Sequence, residues 1–393
     1  MTKIQDFYGT DESYFAANNC VYTSAEIAAQ PEAWIELMDT LLAKRGKIQG
    51  FLDRAGDLKR RRIIFCGAGS SAFVGDAASG FIAESGGPHC ESVHTPDIVS
   101  APGACLFDTP TLMISIARSG NSPESAGAVK YARSVIKDLF EIAVICDPDS
   151  ALAEMFTDAD NNLLLTMPAS ANDKGFAMTC SVTCMTIACY AVFNLDKLEG
   201  LAADVKLLAE RVRESGARLY QTAKQWADTD YGRLIVLGSG ALKGIARESA
   251  LKTMELTNGA VNTSYDSPAA FRHGPKAVIK DDAVTLHIIS ENAFTARYDM
   301  DLLAEVYGQK KGNRVISIST GNAAGRYSDE NVIIDDGGYG IAPYLCCGIN
   351  ALVFCQLLAV CKSISLGLPT DNPSPAGELN RVVKGVTIYE LTE

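Results

Sequence analysis

Short apolar runs alternate with longer amphipathic stretches through most of the chain. Several of the short runs are β-prone, and they cover 63–66, 111–116, 142–146 and 163–166. Apolar residues recur at helical spacing in the stretches near 71–84, 123–137, 151–156 and 178–194. Strands that alternate with helices in this order predict a doubly wound parallel sheet, the flavodoxin-like class of α/β fold.

The same pattern begins again in the second half of the chain. The run RLIVLGSG at 233–240 resembles RIIFCGAG at 62–69. Further strand candidates follow it at 260–265, 284–289, 314–319 and 332–335. An internal duplication of one α/β unit explains this repetition. We therefore expect two α/β domains in tandem after a helical N-terminal segment, with boundaries 1–60, 61–210 and 211–393, and a long polar-faced helix near 198–228.

The N-terminal segment carries its own helical signals. The sequence TSAE, from Thr23 to Glu26, resembles a capping box at a helix start. Pro31 is expected to begin a long helix, in which Trp34 and Leu37 occupy one face.

Composition and charge exclude several classes of protein. The chain has 393 residues, 47% of them hydrophobic and 21% charged, which is typical of a globular protein. The formal net charge of −12 argues against a nucleic-acid partner. The most apolar stretch, near 343–368, contains Asn350, Gln356 and Lys362, so it suits a buried helix better than a membrane span. The polar start of the chain has no leader pattern, and we expect a cytoplasmic protein.

The twelve cysteines do not have the spacing of a metal site. No CxxC pair is combined with a second pair or with a nearby histidine. Buried, reduced thiols that act as small hydrophobes account for nearly all of them. We expect no metal and no cofactor.

A serine-rich turn follows the run at 111–116 and is the strongest candidate for an anion site. The sequence there is ARSGNSPES, from Ala117 to Ser125, and Pro123 is placed to open a helix. Hydroxyls and backbone N–H groups at a helix N-terminus favour phosphate. The alternative is an ordinary strand–helix connection in which Ser122 is a plain N-cap. The segment 316–324, taken as its counterpart in the second half, lacks the later serines and the proline.

The two glycine turns do not complete a dinucleotide fingerprint. Phe73 and Val74 precede Gly75 in the first turn, and Lys243 precedes Gly244 in the second. Neither turn is followed by a convincing acidic residue at the end of the next strand. Tight turns that let the chain approach a small ligand or a helix explain both equally well.

Two features of the second half carry candidate chemistry. Glu248, Lys252 and Glu255 share one face of a predicted helix, because they are separated by four and three residues. The alternative is a solvated ion pair between Glu248 and Lys252. His273 stands between Arg272 and a Gly-Pro turn, where catalytic groups often occur, although most loop histidines have no such role.

The order of these motifs resembles the sugar isomerase (SIS) domain proteins. The motifs are CGAGSS at 66–71, SGNS at 119–122, the helix from Glu248 to Glu255, and RHGP at 272–275. A tandem pair of such domains is similar to the isomerase half of glucosamine-6-phosphate synthase. The segments EIAAQPEAW at 26–34 and DSPAAFRHGP at 266–275 are most similar to the tagatose-6-phosphate ketose/aldose isomerase group, whose members act as galactosamine-6-phosphate deaminases.

This resemblance implies the residues of the substrate site. It assigns phosphate contacts to Ser70, Ser71, Ser119 and Ser122. Arg118 stands where the synthase has glutamine, and it is expected to add a phosphate contact or to alter the sugar preference. Thr179 matches the threonine of a substrate-side segment, in which Cys180 replaces a lysine.

The resemblance also implies the catalytic residues. Glu255 matches the base that moves a proton between C1 and C2, and Glu248 and Lys252 match cleft residues on the same helix. His273 matches a ring-opening histidine that relatives borrow from the neighbouring subunit, which implies a homo-oligomer. Lys384 matches a lysine of a C-terminal tail that closes over the substrate. The implied substrate is a phosphorylated amino sugar; the alternatives are a plain aldose–ketose isomerase and a non-catalytic sugar-phosphate binder.

Overall fold

The computed structural model describes residues 4–157, 159–375, 377, 380–383 and 385–391. The chain divides into two compact units, and each of them combines separate stretches of sequence. The first-sheet unit consists of Ala33–Asp173, Cys180–Ala202 and Gly377–Glu393. The second-sheet unit consists of Met1–Glu32, Lys174–Thr179 and Ala203–Ala376. The segment boundaries at 60 and 210 stay a prediction.

The helices and strands follow each other in the order that the apolar pattern predicts. The strands are β1 (Arg62–Cys66), β2 (Cys90–Ser92), β3 (Thr111–Ala117), β4 (Leu139–Ile145), β5 (Asn162–Thr166), β6 (Arg233–Gly238), β7 (Asn262–Asp266), β8 (Ala283–Ile288), β9 (Arg314–Ser319) and β10 (Glu330–Ile333). The α-helices are α1 (Ile4–Tyr8), α2 (Glu12–Ala17), α3 (Val21–Ala55), α4 (Ser70–Glu84), α5 (Thr95–Ser100), α6 (Pro102–Cys105), α7 (Pro123–Val135), α8 (Ala151–Glu154), α9 (Cys180–Val192), α10 (Leu198–Ala227), α11 (Leu242–Leu256), α12 (Pro268–Phe271), α13 (Ala293–Gly308) and α14 (Pro343–Ser365).

The first-sheet unit contains a parallel sheet with the strand order β2-β1-β3-β4-β5. Its central strand β3 is buried at every position, as expected for a strand that helices cover on both faces. Strand β1 pairs with β2 on one side and with β3 on the other, so the direction of winding reverses between β1 and β3. Ligands of doubly wound folds bind at the carboxyl ends of the strands beside such a switch point.

The second-sheet unit repeats this topology. Its strand order is β10-β9-β8-β6-β7, so β6 and β8 occupy the places that β1 and β3 hold in the first sheet. The prediction of two doubly wound parallel sheets is therefore confirmed. It also follows that 316–324, the segment after β9, is not the counterpart of the serine-rich turn. The counterpart follows β8 at 289–292, because strand position rather than similar sequence defines it.

Helix α3 begins earlier than predicted and contains Pro31 in its interior. A proline there lacks the N–H that would bond to the carbonyl of Ile27. The side chain of Gln30 replaces this bond, because its Nε2 donates to Ile27 O at 3.3 Å. The expectation that Pro31 opens the helix was therefore wrong.

The predicted capping box at Thr23 was also wrong, and a distant carboxylate caps α3 instead. Asp371 accepts hydrogen bonds from Tyr22 N at 2.9 Å and from Thr23 N at 2.8 Å. Glu26 does not reach back to the helix start: its Oε1 accepts from Lys174 N at 2.5 Å and from Gly175 N at 3.0 Å.

Helix α14 is the apolar stretch predicted near 343–368. It is long and apolar enough to cross a membrane, but 94% of its most apolar window is buried inside the protein. Within the second-sheet unit it contacts α11. The prediction of a buried helix is confirmed.

Candidate active site

The serine-rich turn connects β3 to α7 at the switch point of the first sheet. Helix α7 begins at Pro123, as predicted, and Ser122 is its N-cap residue. The Ser122 side chain makes no capping hydrogen bond; its Oγ lies 2.8 Å from Ser125 Oγ. Gly120 has a φ of +61°, and a Cβ there would lie 2.4 Å from Ser150 Oγ. The turn thus requires glycine, and Ser122 is not the plain N-cap of the alternative interpretation.

The first glycine turn lies next to the serine-rich turn at the same edge of the sheet. It follows β1, which pairs with β3, and it leads into α4 at Ser70. A Cβ on Gly67 would lie 2.5 Å from the backbone of Ser71, so the chain turns tightly only with glycine here. Ser70 and Ser71 are both buried at the N-terminus of α4. Strands β1 and β3 are parallel neighbours, so the loops that follow them lie side by side at one edge of the sheet. Ser70 and Ser71 therefore belong to the loop next to that of Ser119 and Ser122.

The second sheet carries different chemistry at its switch point. Asp299, buried on α13, accepts hydrogen bonds from Ser239 Oγ at 2.5 Å and from Ser290 N at 3.0 Å. Burial raises the pKa of this carboxyl. Ser239, after β6, and Ser290, after β8, therefore donate their hydrogen bonds to a carboxylate of the protein itself. The corresponding turns of the first sheet are instead rich in serine and glycine.

Arg118 contacts the C-terminal tail. It is only 7% exposed, and its Nη2 donates to the carbonyl of Arg381 at 3.3 Å. The Arg381 guanidinium in turn donates to the carbonyl of Asp173. The carboxylate of Asp173 accepts from the backbone N–H groups of Cys180 and Ser181, at 3.0 and 2.9 Å, and so caps α9. Sequence reasoning missed this chain of contacts.

The tail then follows α7, the helix that begins at the serine-rich turn. Ile388 packs against Gly127, where an added Cβ would lie 3.0 Å from Ile388 Cγ2. One turn later along α7, the hydroxyl of Tyr131 donates to the carbonyl of Tyr389. Lys384, predicted to act from this tail, lies outside the described residues.

The predicted charged stripe on α11 is an ion-pair cluster. Lys252 Nζ lies 2.5 Å from Glu255 Oε2 and 3.3 Å from Glu248 Oε1. The side chains of Lys252 and Glu248 are 0% and 2% exposed, whereas that of Glu255 is 24% exposed. The interpretation as a solvated surface pair is excluded. Met254, on the same helix, is 42% exposed.

His273 lies on an exposed turn between α12 and a 3₁₀ turn at Pro275–Val278. Its backbone N–H donates to Ala270 O at 2.9 Å, and Gly274 follows with a φ of +119°. The turn is held by Glu305 of α13, which accepts from Arg272 Nε at 2.8 Å and from Lys276 Nζ. The histidine is thus presented outward on a fixed turn.

Thr179 is fully buried in the segment that leads to α9. Within the second-sheet unit its carbonyl accepts from Gln356 Nε2 at 3.2 Å, and Gln356 Oε1 accepts from Gln30 Nε2 at 2.8 Å. This segment is therefore fixed by amide side chains of α3 and α14.

The cysteines are free thiols, and all but Cys105 are buried. Burial raises the pKa of the Cys90 thiol to about 12. In the part of the chain that the structure describes, no group of three or more histidine, cysteine or acidic side chains could hold a metal ion.

Comparisons with known proteins show the family to which the chain belongs. The SIS domain model matches residues 58–195. A Streptomyces coelicolor protein that carries the name AgaS is 39% identical over 96% of this chain and 97% of its own length. The D-galactosamine-6-phosphate deaminase AgaS of Escherichia coli is 36% identical over 95% of this chain and 97% of its own.

A solved structure extends the likeness to three dimensions. The crystal structure of tagatose-6-phosphate ketose/aldose isomerase from Escherichia coli has a TM-score of 0.85 at 33% identity. The match covers 95% of this chain and 97% of that one. This chain therefore belongs to the AgaS family of SIS-domain proteins, whose named members are sugar-phosphate deaminases and isomerases.

Proposed function

We propose that the protein is a hydrolytic deaminase and isomerase that converts D-galactosamine 6-phosphate into tagatose 6-phosphate and ammonia. The observation that carries the proposal is the buried cluster on α11, in which Lys252 contacts both Glu248 and Glu255. Burying an ammonium group together with carboxylates costs desolvation free energy. Buried clusters of charged groups of this kind occur often at catalytic sites, which supports a catalytic role for this one. The deaminase names of the relatives support the choice of substrate.

In this proposal the serines of the first-sheet unit bind the phosphate. Ser119 and Ser122 contribute hydroxyls beside the N-terminus of α7, and Ser70 and Ser71 do so beside that of α4. Helix N-termini and hydroxyls attract an anion without a metal ion. Arg118 assists from the same turn, since its guanidinium links this turn to Arg381 of the tail.

The chemistry is a proton transfer followed by hydrolysis. His273 moves the proton that opens the pyranose ring and so releases the aldehyde at C1. Glu255 takes the proton from C2, which gives an enolamine, and returns a proton to C1. The resulting ketiminium ion at C2 adds water and loses ammonia, which leaves the ketose 6-phosphate.

The remaining residues have supporting roles in this proposal. Lys252 stabilises the negative charge that develops on the oxygen at C1, because its ammonium lies beside the base. Glu248 holds Lys252 from the other side, Thr179 binds substrate, and Lys384 of the tail completes the site. No step in this sequence requires a cofactor.

We further propose that the protein is a cytoplasmic homodimer, in which His273 serves the neighbouring subunit. The exposure of His273 on a turn fixed by Glu305 supports this assignment. No nucleic acid or membrane takes part in the proposed reaction.

A second candidate activity is the isomerisation of tagatose 6-phosphate to its aldose. The solved relative named as a tagatose-6-phosphate isomerase favours it. The two reactions share the transfer of a proton between C1 and C2, and they differ only in whether C2 carries an amine or a hydroxyl.

The test offers both substrates to the purified protein and measures ammonia release and ketose–aldose interconversion. We expect ammonia from galactosamine 6-phosphate, and we expect Ser119→Ala to raise the KM about tenfold or more, as for a lost charge-assisted hydrogen bond of about 1.5–3 kcal/mol. Interconversion of tagatose 6-phosphate without ammonia would favour the isomerase. If neither substrate reacts although both raise the melting temperature, the protein is a sugar-phosphate binder.

A further inference from the structure

The second-sheet unit contains a cavity that none of the proposed catalytic residues lines. Its volume is about 360 Å³, and the described residues around it are Lys276, Ile279, Lys280, Val306, Gln309, Lys311 and Asn313. These lining residues include three lysines and no acidic side chain. A cluster of positive charge of this kind is unusual in a chain with a formal net charge of −12.

Asn313 adds a buried hydrogen-bond donor to the lining of this cavity. The residue is 2% exposed, and its Oδ1 accepts a hydrogen bond from Lys311 N at 3.1 Å. This bond fixes the orientation of the amide, because only the oxygen can accept. Its Nδ2 has no hydrogen-bond partner among the described residues. Buried donors without a partner are rare, and they are explained when a ligand supplies the acceptor.

The other polar groups of the cavity leave donors rather than acceptors for a ligand. Gln309 Oε1 already accepts from Lys276 Nζ at 2.9 Å, and Lys276 also pairs with Glu305. Within the described part of the chain, Lys280 and Lys311 take part in no ion pair, so their charges are not neutralised. The cavity therefore offers ammonium groups and an amide N–H to a ligand.

We propose that this cavity is a second anion site, which binds the phosphate group of a small metabolite. A phosphate accepts several hydrogen bonds at once, and its negative charge attracts the ammonium groups of Lys280 and Lys311. Ile279 and Val306 line the same cavity and provide apolar contact for the carbon part of such a ligand. None of the residues proposed to bind the phosphate or to move protons lines this cavity, so it is distinct from the proposed substrate site.

The experiment measures the binding of inorganic phosphate and of galactose 6-phosphate to the full chain by titration calorimetry. We expect Lys280→Ala/Lys311→Ala to bind one phosphate fewer than the wild type, or to bind it at least tenfold more weakly. The matched control is Lys59→Ala/Lys206→Ala, which removes two exposed lysines outside the cavity and the same charge. Tighter binding of the sugar phosphate than of inorganic phosphate would assign an organic ligand, and the reverse order would assign inorganic phosphate.

A second variant separates binding from folding. Asn313→Asp keeps an oxygen to accept from Lys311 N but replaces the Nδ2 donor by a charged acceptor. We expect it to lose the cavity phosphate and to keep the wild-type melting temperature in phosphate-free buffer. The proposal is overturned if the cavity double variant and its control bind the same number of phosphates with the same affinities, or if Asn313→Asp binds as the wild type does.

Discussion

At the scale of single residues, Lys252 has the most unusual environment among the proposed catalytic groups. Its spacing from Glu248 and Glu255 is visible in the sequence, and the predicted shared face is confirmed by the two ion pairs. Its complete burial was not predictable, because spacing shows which residues share a helix face and not how deeply that face is buried. Met254 is exposed, although a methionine in this pattern usually marks the buried side.

The burial of Lys252 leads to a prediction about stability. Lys252→Met removes the buried ammonium that contacts Glu248 and Glu255, and it is expected to lower the free energy of unfolding by about 3–5 kcal/mol, as for a broken buried ion pair. Adding Glu248→Gln should restore at least half of this loss, because it removes a buried carboxylate charge that Lys252 no longer balances. Urea denaturation measures both changes, and the exposed Lys206→Met serves as control, expected within about 0.5 kcal/mol of the wild type. A double variant no more stable than the single one would contradict the account.

A second residue-scale prediction concerns His287, near the carboxyl end of β8. It is 1% exposed, neither ring nitrogen has a partner among the described residues, and burial lowers its pKa to about 3. In the unfolded chain His287 therefore binds a proton as the pH falls through about 6.5, whereas in the folded chain it stays neutral. The free energy of unfolding consequently decreases as the pH drops below that value. The slope is at most about 1.4 kcal/mol per pH unit.

The measurement compares the wild type with His287→Leu by urea denaturation between pH 7 and pH 5. The stability of the wild type relative to the variant should fall by about 2 kcal/mol between pH 7 and pH 5. His89→Gln, at an exposed histidine, should follow the wild type. Parallel curves for the wild type and His287→Leu would contradict this account, because they would show that folding does not lower the pKa of His287.

At the scale of helices and strands, the apolar pattern predicted positions well and long-range contacts poorly. β9 was predicted with its observed ends at Arg314 and Ser319, because its apolar run is bounded by turn residues. The start of α3 was not predicted correctly, because its cap is Asp371, which is distant in the sequence. A side chain that bonds to a distant backbone leaves no periodic signal, and the link from Arg118 to Arg381 was missed for the same reason.

The contact between the tail and α7 gives the prediction at this scale. Gly127→Ala places a Cβ about 3.0 Å from Ile388 Cγ2 and should displace the tail. Gly46→Ala, in the interior of α3 with nothing within 4 Å, should instead stabilise the protein by up to about 1 kcal/mol. Limited proteolysis should cleave the tail of Gly127→Ala faster than that of the wild type. Equal rates in both glycine variants would show that Ile388 does not fix the tail.

At the scale of the whole molecule, one topology occurs twice with different chemistry. Both sheets place a glycine turn and a second loop at the switch point between their first and third strands. In the second sheet Asp299 uses the donors there, while the first sheet has serine-rich turns. The sequence predicted that only the first half is equipped to bind phosphate. It compared the serine-rich turn with the segment after β9, because that segment is similar in sequence, although the equivalent strand is β8.

The central claim is that Glu255 moves a proton from C2 to C1 before ammonia leaves. The most direct measurement follows galactosamine 6-phosphate in D₂O by NMR, with the wild type and with Glu255→Gln. We expect the wild type to release ammonia and to form tagatose 6-phosphate, with protium at C1 where the C2 proton is carried over directly and deuterium at C1 where the Glu255 carboxyl exchanges with the solvent before it returns a proton. Glu255→Gln should do neither, although phosphate still raises its melting temperature. Ammonia release by Glu255→Gln at the wild-type rate would contradict the assignment of Glu255 as the base.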